Sequence, residues 1–410
     1  MILRQDLLNP DSPKDLQVFQ LTSEPGVPSS HLYMEAQVFT PDSKRLILHR
    51  SAHAHGSDSS DPKHQYLLCD LDNNGELTPI ATELGVRAAS VSPDGEWLYY
   101  FVDETTPGGG RLTLKRVRLD GADRQVLHVL DTPLPETGQR FSRPYPLSTM
   151  SSDSQRIAIS GFLGDGKTPN APWGILVYDI AAGARPRLIL HGPTWLNMHP
   201  QYCRSQEPDA SHDILIQENH GNESDARGQF TKLTGGAGAD IHVIRDDGTH
   251  FRNMPWGRDN NEFCQGHQCW RGRSRRGITS TSTVDVQEAQ LIEGVAAPHA
   301  GHVGRLTPGG ERNDLSRQFP KPNFYHFATD IAGRLLITDS GKKDQGGRLY
   351  IAELPDSPTA PFTSIRPLLT ARTSWDKTAH IHPFLSPDGK AGFFNSDETG
   401  VLQAYMVRGF

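Results

Sequence analysis

The chain is poor in cysteine, in excess charge of either sign and in long apolar runs. Its 410 residues include 4 cysteines, Cys69, Cys203, Cys264 and Cys269, and these form no CxxC pair. Four is too few for a disulfide framework at this length, and the spacing does not suit a zinc ribbon. No apolar run approaches the roughly 20 residues of a membrane-spanning helix. The opening Met1-Ile2-Leu3-Arg4-Gln5-Asp6 lacks a secretory apolar core. The simplest expectation is therefore a soluble cytoplasmic protein with no membrane partner. Basic residues number 41 against 48 acidic ones, a formal net charge of -7. No basic surplus calls for nucleic acid, although a local basic site could still take an anion. Hydrophobic residues make up only 35 %, low for a chain of helices packed on a parallel sheet.

Turn residues and histidine are plentiful. With 39 glycines and 30 prolines, many short strands joined by tight turns are expected, which is all-β architecture. Turn marks of one type recur: Thr40-Pro41-Asp42-Ser43, Ser92-Pro93-Asp94-Gly95, Ser151-Ser152-Asp153-Ser154, Glu207-Pro208-Asp209-Ala210 and Ser386-Pro387-Asp388-Gly389. Two weaker versions, Arg271-Gly272-Arg273-Ser274 and Asp330-Ile331-Ala332-Gly333, fill the remaining gap. Proline presets φ, aspartate bonds its own backbone, and glycine accepts positive φ. The marks are spaced 52 to 64 residues apart.

A β-rich run follows each mark, for example Trp97-Leu98-Tyr99-Tyr100 and Arg334-Leu335-Leu336-Ile337. Further alternating runs lie beyond, such as Ile241 to Arg245 and Leu349 to Leu354. Seven units of this size predict a seven-bladed β-propeller occupying residues 1–410 as a single domain. The last unit ends soon after Ala404-Tyr405-Met406-Val407, so its outermost strand is missing. The segment Leu16 to Thr22 is expected to supply it and close the ring. A pair of β-sandwiches is the alternative, which regular spacing disfavours.

The chain has 18 histidines, and several precede the turn marks at one repeating position. His199-Pro200, His267, His326 and the pair His380/His382 fall there in four consecutive units, with Arg143-Pro144 in the third unit and His31 or Glu35 in the first. In a propeller that position lies near one mouth of the central channel. His-x-His on a strand puts both rings on one face, because the strand period is two. His326, His380 and His382 are therefore candidate ligands of one divalent metal, and Mn, Zn, Fe or Ni would suit. Any one of these histidines could instead hydrogen-bond loop backbone. His267 is a candidate proton acceptor, since imidazole titrates near neutrality. Asn219-His220-Gly221 follows an apolar strand and could also reach the mouth. The Gly-rich stretch from Gly221 to Gly238 reads as a mobile loop, and Arg271 to Arg276 as a solvated basic turn. No G-x-S-x-G elbow accompanies the repeats, which argues against a prolyl oligopeptidase, and no P-loop is present.

These segments resemble the oligogalacturonate lyase family, a family of seven-bladed propeller lyases. The likeness runs through Gln20-Leu21-Thr22, Phe39-Thr40-Pro41-Asp42, His199-Pro200-Gln201, Asn219-His220-Gly221, Gly266-His267-Gln268-Cys269-Trp270, Tyr325-His326-Phe327 and His380-Ile381-His382-Pro383. The resemblance implies His267 as base and a divalent metal, manganese first, on His326, His380 and His382. It implies His199 and His220 as substrate contacts. Two departures stand out. Lys377 occupies the place of a glutamine metal ligand, and Asp240-Ile241-His242 carries no match for an active-site arginine. Arg143, Lys377 or His242 would then supply the second positive contact to substrate.

The implied reaction is β-elimination from a short uronide, a small acidic oligosaccharide, as in pectin breakdown. The C5 proton is only weakly acidic, so a base and neutralisation of the developing enediolate are both needed. Two other classes compete: a non-catalytic TolB-like binding module, and a propeller enzyme acting on a different sugar acid.

Overall fold

The computed structural model describes residues 1–181, 185–233, 238–258, 261–283, 289–298, 311–319, 323–340 and 346–410. Among these residues there is no α-helix, only short 3-10 turns such as Gln5–Leu7 and Lys377–Ala379. Among the described residues no helix is long and apolar enough to cross a membrane. The all-β expectation holds. The chain runs as successive antiparallel meanders, mostly four strands each, most strands pairing with the next along the chain. One meander comprises Val86–Val91, Trp97–Asp103, Leu112–Arg118 and Gln125–Leu130; the next comprises Ser148–Met150, Arg156–Phe162, Trp173–Asp179 and Arg187–Gly192. The apolar runs after the turn marks are the second strands, and their alternation buries both faces between neighbouring sheets. Arg156–Phe162, for instance, buries all but its first residue.

The first strands of successive sheets touch one another. Val86–Val91 meets Ser148–Met150, which meets Gln201–Tyr202, and Glu262–Trp270 meets Phe327–Thr329, which meets Phe384–Leu385. Each sheet therefore radiates outward from its first strand. Ser29–His31, the first strand of the first meander, contacts the last sheet, where His31 N–H donates to Asn395 Oδ1 at 3.2 Å. At the outer edge of that last sheet, Gln17–Gln20 pairs with Gln403–Arg408, with Val18 opposite Val407. Ile2–Leu3 adds a further strand outside it, an element that the sequence pattern did not suggest.

The turn marks fold as their residues require. In Ser386-Pro387-Asp388-Gly389, the Ser386 hydroxyl donates to Asp388 at 2.7 Å and accepts from the Ala391 N–H at 3.0 Å. Gly389 takes φ +72°, and Ser154 holds the same place at φ +63°. The weaker mark Arg271 to Ser274 is also a turn, yet it is not fully solvated. Arg271 and Arg276 both pair with Glu293, which is completely buried, at 2.9 and 3.0 Å. Two guanidiniums balance one desolvated carboxylate. The Gly221–Gly238 excursion is in part a hairpin, Glu223–Ser224 pairing with Phe230–Lys232, and its residues 234–237 lie outside the described residues.

Gly272 sits at φ +48°, and a Cβ there would lie 2.5 Å from the Gly333 N and 2.6 Å from the Ile331 O of the next turn. Both neighbours are backbone and cannot swing aside. Gly272→Ala is therefore expected to cost at least about 2 kcal/mol, from the left-handed backbone and the clash together. Urea denaturation checks this, and a midpoint equal to wild type would refute it.

Candidate active site

A cavity of about 660 Å³ opens where the leading ends of the first strands converge, and its wall includes His55, Arg87, Arg143, Tyr145, His199, His267, Tyr325, His326, Lys377 and His380. The local sequence explains how these side chains reach it. Arg143, His199 and His382 each precede a proline and hold positive φ, +47°, +48° and +45°. Each such non-glycine residue stores roughly 1–3 kcal/mol of strain. His267 is delivered differently. The pairing of Glu262–Trp270 with Arg276–Thr283 shifts register between Cys264 and Gln268, and Gly266 takes φ +81°. This bulge lifts Gln265-Gly266-His267 out of the ladder and aims the imidazole at the cavity.

The imidazoles crowd together. Ring centroids lie 4.2 Å apart for His326 and His382, 4.6 Å for His267 and His326, and 5.4 Å for His326 and His380. His326 bonds Asp339 Oδ2 through Nδ1 at 2.7 Å, and Asp339 is fully buried. His382 bonds the Ala54 carbonyl through Nδ1 at 2.8 Å. Both partners accept, so each Nδ1 carries the proton and each Nε2 is left with a lone pair. Those Nε2 atoms, His380 Nδ1 and His267 Nδ1 are buried without a partner. Trp375 stacks on His380 with centroids 5.0 Å apart.

Burial decides the charge of this cluster. It pushes His326 and His382 well below the ordinary imidazole value, and their neighbouring imidazoles push the same way. Burial, with the Lys377 charge adding, lowers His380 to about 4. His267 falls to about 3, from burial first and then His199 and His380, although the Tyr325 backbone opposes the shift. All are neutral at pH 7, which leaves lone pairs available for a proton or a cation. These four residues are the sequence candidates that the structure brings together.

The other candidates divide. Arg143 lines the cavity half-buried, beside Arg87, which sequence reasoning missed and which pairs with Asp103 at 3.0 Å. Lys377 is exposed at the rim, at the start of its short 3-10 turn. His199 reaches the wall with both nitrogens engaged, Nδ1 to Glu35 at 2.8 Å and Nε2 to Tyr145 at 2.9 Å. It holds Tyr145 in place and has no atom left over for a ligand. His220 and His242 do not line the cavity. They belong to a separate cluster with Glu218, Asp240 and Arg258. There His220 Nε2 lies 3.1 Å from Asp240 and 3.5 Å from Glu218, and His242 bonds Asn253 through Nδ1 at 2.9 Å. The sequence reading expected both to contact substrate; His220 follows Asp213–Asn219, the second strand of its sheet, and His242 lies on Ala239–Arg245, the third.

His55 was also missed. It follows the second strand of the first sheet rather than preceding a turn mark, although Ala52-His53-Ala54-His55 repeats the alternating-imidazole signal of His380 and His382. Its ring lies 4.7 Å from His382 and 4.9 Å from His380. Asp339 was missed as well, because only the strand pairing sets it against His326.

Once the geometry is known, comparison with other proteins is informative. No protein-family model matches the chain, and no curated protein matches it by sequence. Among solved structures, it is similar to an oligogalacturonate lyase in complex with manganese, at 18% identity and a TM-score of 0.68, covering 100% of this chain and 96% of that one. An oligogalacturonate lyase from Vibrio parahaemolyticus matches at 17% identity and a TM-score of 0.68, covering 100% and 97%. The β-propeller domain of the Trilobed protease from Pyrococcus furiosus matches at 10% identity and a TM-score of 0.50, covering 95% of each chain. The chain therefore has a β-propeller fold of the kind seen in oligogalacturonate lyases.

The outlying cluster makes its own prediction. Burial opposes charge on His220, yet hydrogen bonds to Asp240 and Glu218 push it up to about 9. With His220 protonated and Arg258 bonding Asp240 at 2.9 Å, two cations balance two carboxylates. A raised imidazole pKa contributes stability that is complete below about pH 6.5 and is lost as pH climbs through about 9. His220→Gln is expected to lower unfolding free energy by on the order of 1–3 kcal/mol near pH 6 and far less near pH 10. Equal losses at both pH values, by urea denaturation, would contradict the assignment.

Proposed function

We propose that the chain is a seven-bladed propeller lyase that cleaves short uronides by β-elimination. Its single ring spans residues 1–410 and is closed by Gln17–Gln20 in the last blade. The observation that carries this reading is the unpartnered Nδ1 of His267, which shares one cavity with His326, His380 and the Arg87 and Arg143 guanidiniums, with His382 packed against His326.

The residues present fit a divalent cation. Buried imidazole nitrogens with no hydrogen-bond partner are costly to leave unsatisfied; ligand atoms of His380 and His382 lie within 4.8 Å of one another, the His326 ring packs on His382 with centroids 4.2 Å apart, and Asp339 and Ala54 set the tautomers of His326 and His382. His326, His380 and His382 would hold it. Such a cation, when bound, supplies a Lewis acid that neutralises the substrate carboxylate and the enediolate formed from it. Manganese suits the reading by likeness to the manganese-bound neighbour; zinc, iron and nickel share the same donor chemistry.

The rest falls to the protein. Arg143 and Arg87 face the cavity as anion contacts for uronate carboxylates, taking the role that His220 and His242 cannot take from their cluster. Lys377 adds charge at the rim. His267, kept neutral by burial, removes the C5 proton. The C5–H electron pair becomes the C4=C5 double bond, and the C4–O4 bond breaks with its electrons leaving on oxygen. Tyr325 lies beside His267, ring centroids 4.9 Å apart, and burial raises its phenol pKa. It therefore keeps its proton and can hydrogen-bond the departing oxygen. His199 and Tyr145 form the opposite wall, with His199 held through Glu35.

Metal-loaded protein is expected to generate the ultraviolet absorbance of a 4,5-unsaturated uronide from a short uronide. His267→Ala should lower that rate about 10²- to 10⁴-fold with an unchanged circular dichroism spectrum. An unaltered rate in this variant, or no absorbance from any uronide, would sink the reading.

A further inference from the structure

The hairpin of Ala52–His53 and Gly56–Ser57 reaches the cavity from the first sheet, far in sequence from the other imidazoles. It is tied there at two points. The Ala54 N–H donates to the Thr378 carbonyl at 2.9 Å, and the Ala54 carbonyl accepts the His382 Nδ1–H at 2.8 Å. The next residue is His55. Its backbone N–H donates to His53 Nδ1 at 3.2 Å, and its Nε2 is buried with no partner. Single ligand atoms of His55, His380 and His382 all lie within 4.8 Å of one another. His326 lies beside that group, its ring centroid 4.2 Å from that of His382 and its Nε2 equally without a partner.

Nε2 of His55, His326 and His382 and Nδ1 of His380 are thus four buried nitrogens without a hydrogen-bond partner. Nε2 of His326 and Nε2 of His382 can only accept, because Nδ1 of each carries the proton, and neither is met by a donor. Asp339, the carboxylate against this cluster, bonds the far nitrogen of His326 and leaves Nε2 free. Lys377 is exposed and adds positive charge. We propose that His55 is a metal ligand in this chain, completing with His326, His380 and His382 an all-imidazole site that selects zinc, cobalt or nickel over manganese more strongly than a site with oxygen ligands. This rests on the reading that the other three histidines hold a divalent cation. Imidazole is a borderline ligand that suits those metals, whereas oxygen ligands suit manganese. Four neutral donors also leave the full ionic charge facing the substrate carboxylate.

The test uses full-length protein stripped by chelator and reloaded. Zinc and manganese affinities are measured by calorimetry, and cobalt binding by its visible absorption, for wild type, His55→Ala, His55→Gln and His326→Ala. The expected result is at least tenfold weaker zinc binding by His55→Ala, with an altered cobalt spectrum. His55→Gln, which offers an amide oxygen, should narrow the zinc-over-manganese preference. His55→Ala with wild-type zinc affinity and cobalt spectrum overturns the role of His55 and leaves the three-histidine reading standing. No binding by wild type, or no effect of His326→Ala, overturns that underlying reading. Nitrogen-15 histidine NMR of wild type covers the case of a variant that misfolds: zinc should move Nε2 of His55 together with Nε2 of His326 and His382. A His55 signal that stays put rules it out as a ligand.

Discussion

Desolvation of the histidine cluster is the constraint on which the rest of the site depends. An imidazolium in a dry cavity costs more than its neighbours can return, and those neighbours are themselves imidazoles. His267, His326, His380 and His382 are therefore kept neutral together. Neutral histidines present lone pairs, and where the lone pair lies depends on what the other nitrogen bonds. Asp339 and the Ala54 carbonyl settle that for His326 and His382. One physical term thus makes the cluster a set of acceptors, ready for a proton at one place and a cation at another.

The fold meets this demand at local expense. Arg143, His199 and His382 occupy positive φ ahead of prolines, and a bulge at Gly266 turns His267 out of its ladder. Strain of this kind survives because the sheets on either side over-determine the backbone. The ion pairs farther out play a different part. Arg271 and Arg276 on Glu293, and His220 with Arg258 on Glu218 and Asp240, balance charge among strands away from the cavity. Their residue types resemble those of a functional site, yet each charge already has an opposite partner, Glu311 serving Arg276 as well.

Much of this was legible before any coordinates. The turn marks announced themselves because Ser-Pro-Asp-Gly acts on its own backbone, within four residues. The runs after them read as strands because alternation is local. His326, His382 and His267 were legible for a further reason: each stands at the same offset before a mark, so the repeat carried them to one place, and His380 shares the strand face of His382 two residues on. His55 has no such offset, and its approach to His382 depends on contacts between the first and last sheets. His220 and His242 failed in the opposite sense. They carry suitable chemistry on strands away from the cavity wall, and period-two patterning says which face a side chain takes, not how far from the centre its strand lies.

The amino-acid sequence by itself determined the repeat, the strands and the order in which imidazoles follow one another, because these depend on interactions between residues close along the chain. Tertiary structure alone decided which imidazoles meet, which nitrogen of each is free, and which charges are already balanced. Those outcomes depend on Asp339 facing His326 across a strand pair, on Ala54 reaching His382 across 328 residues, and on the burial of both histidines. Burial is a property of the assembled sheets, and it turns a scatter of histidines into neutral lone pairs facing a single cavity.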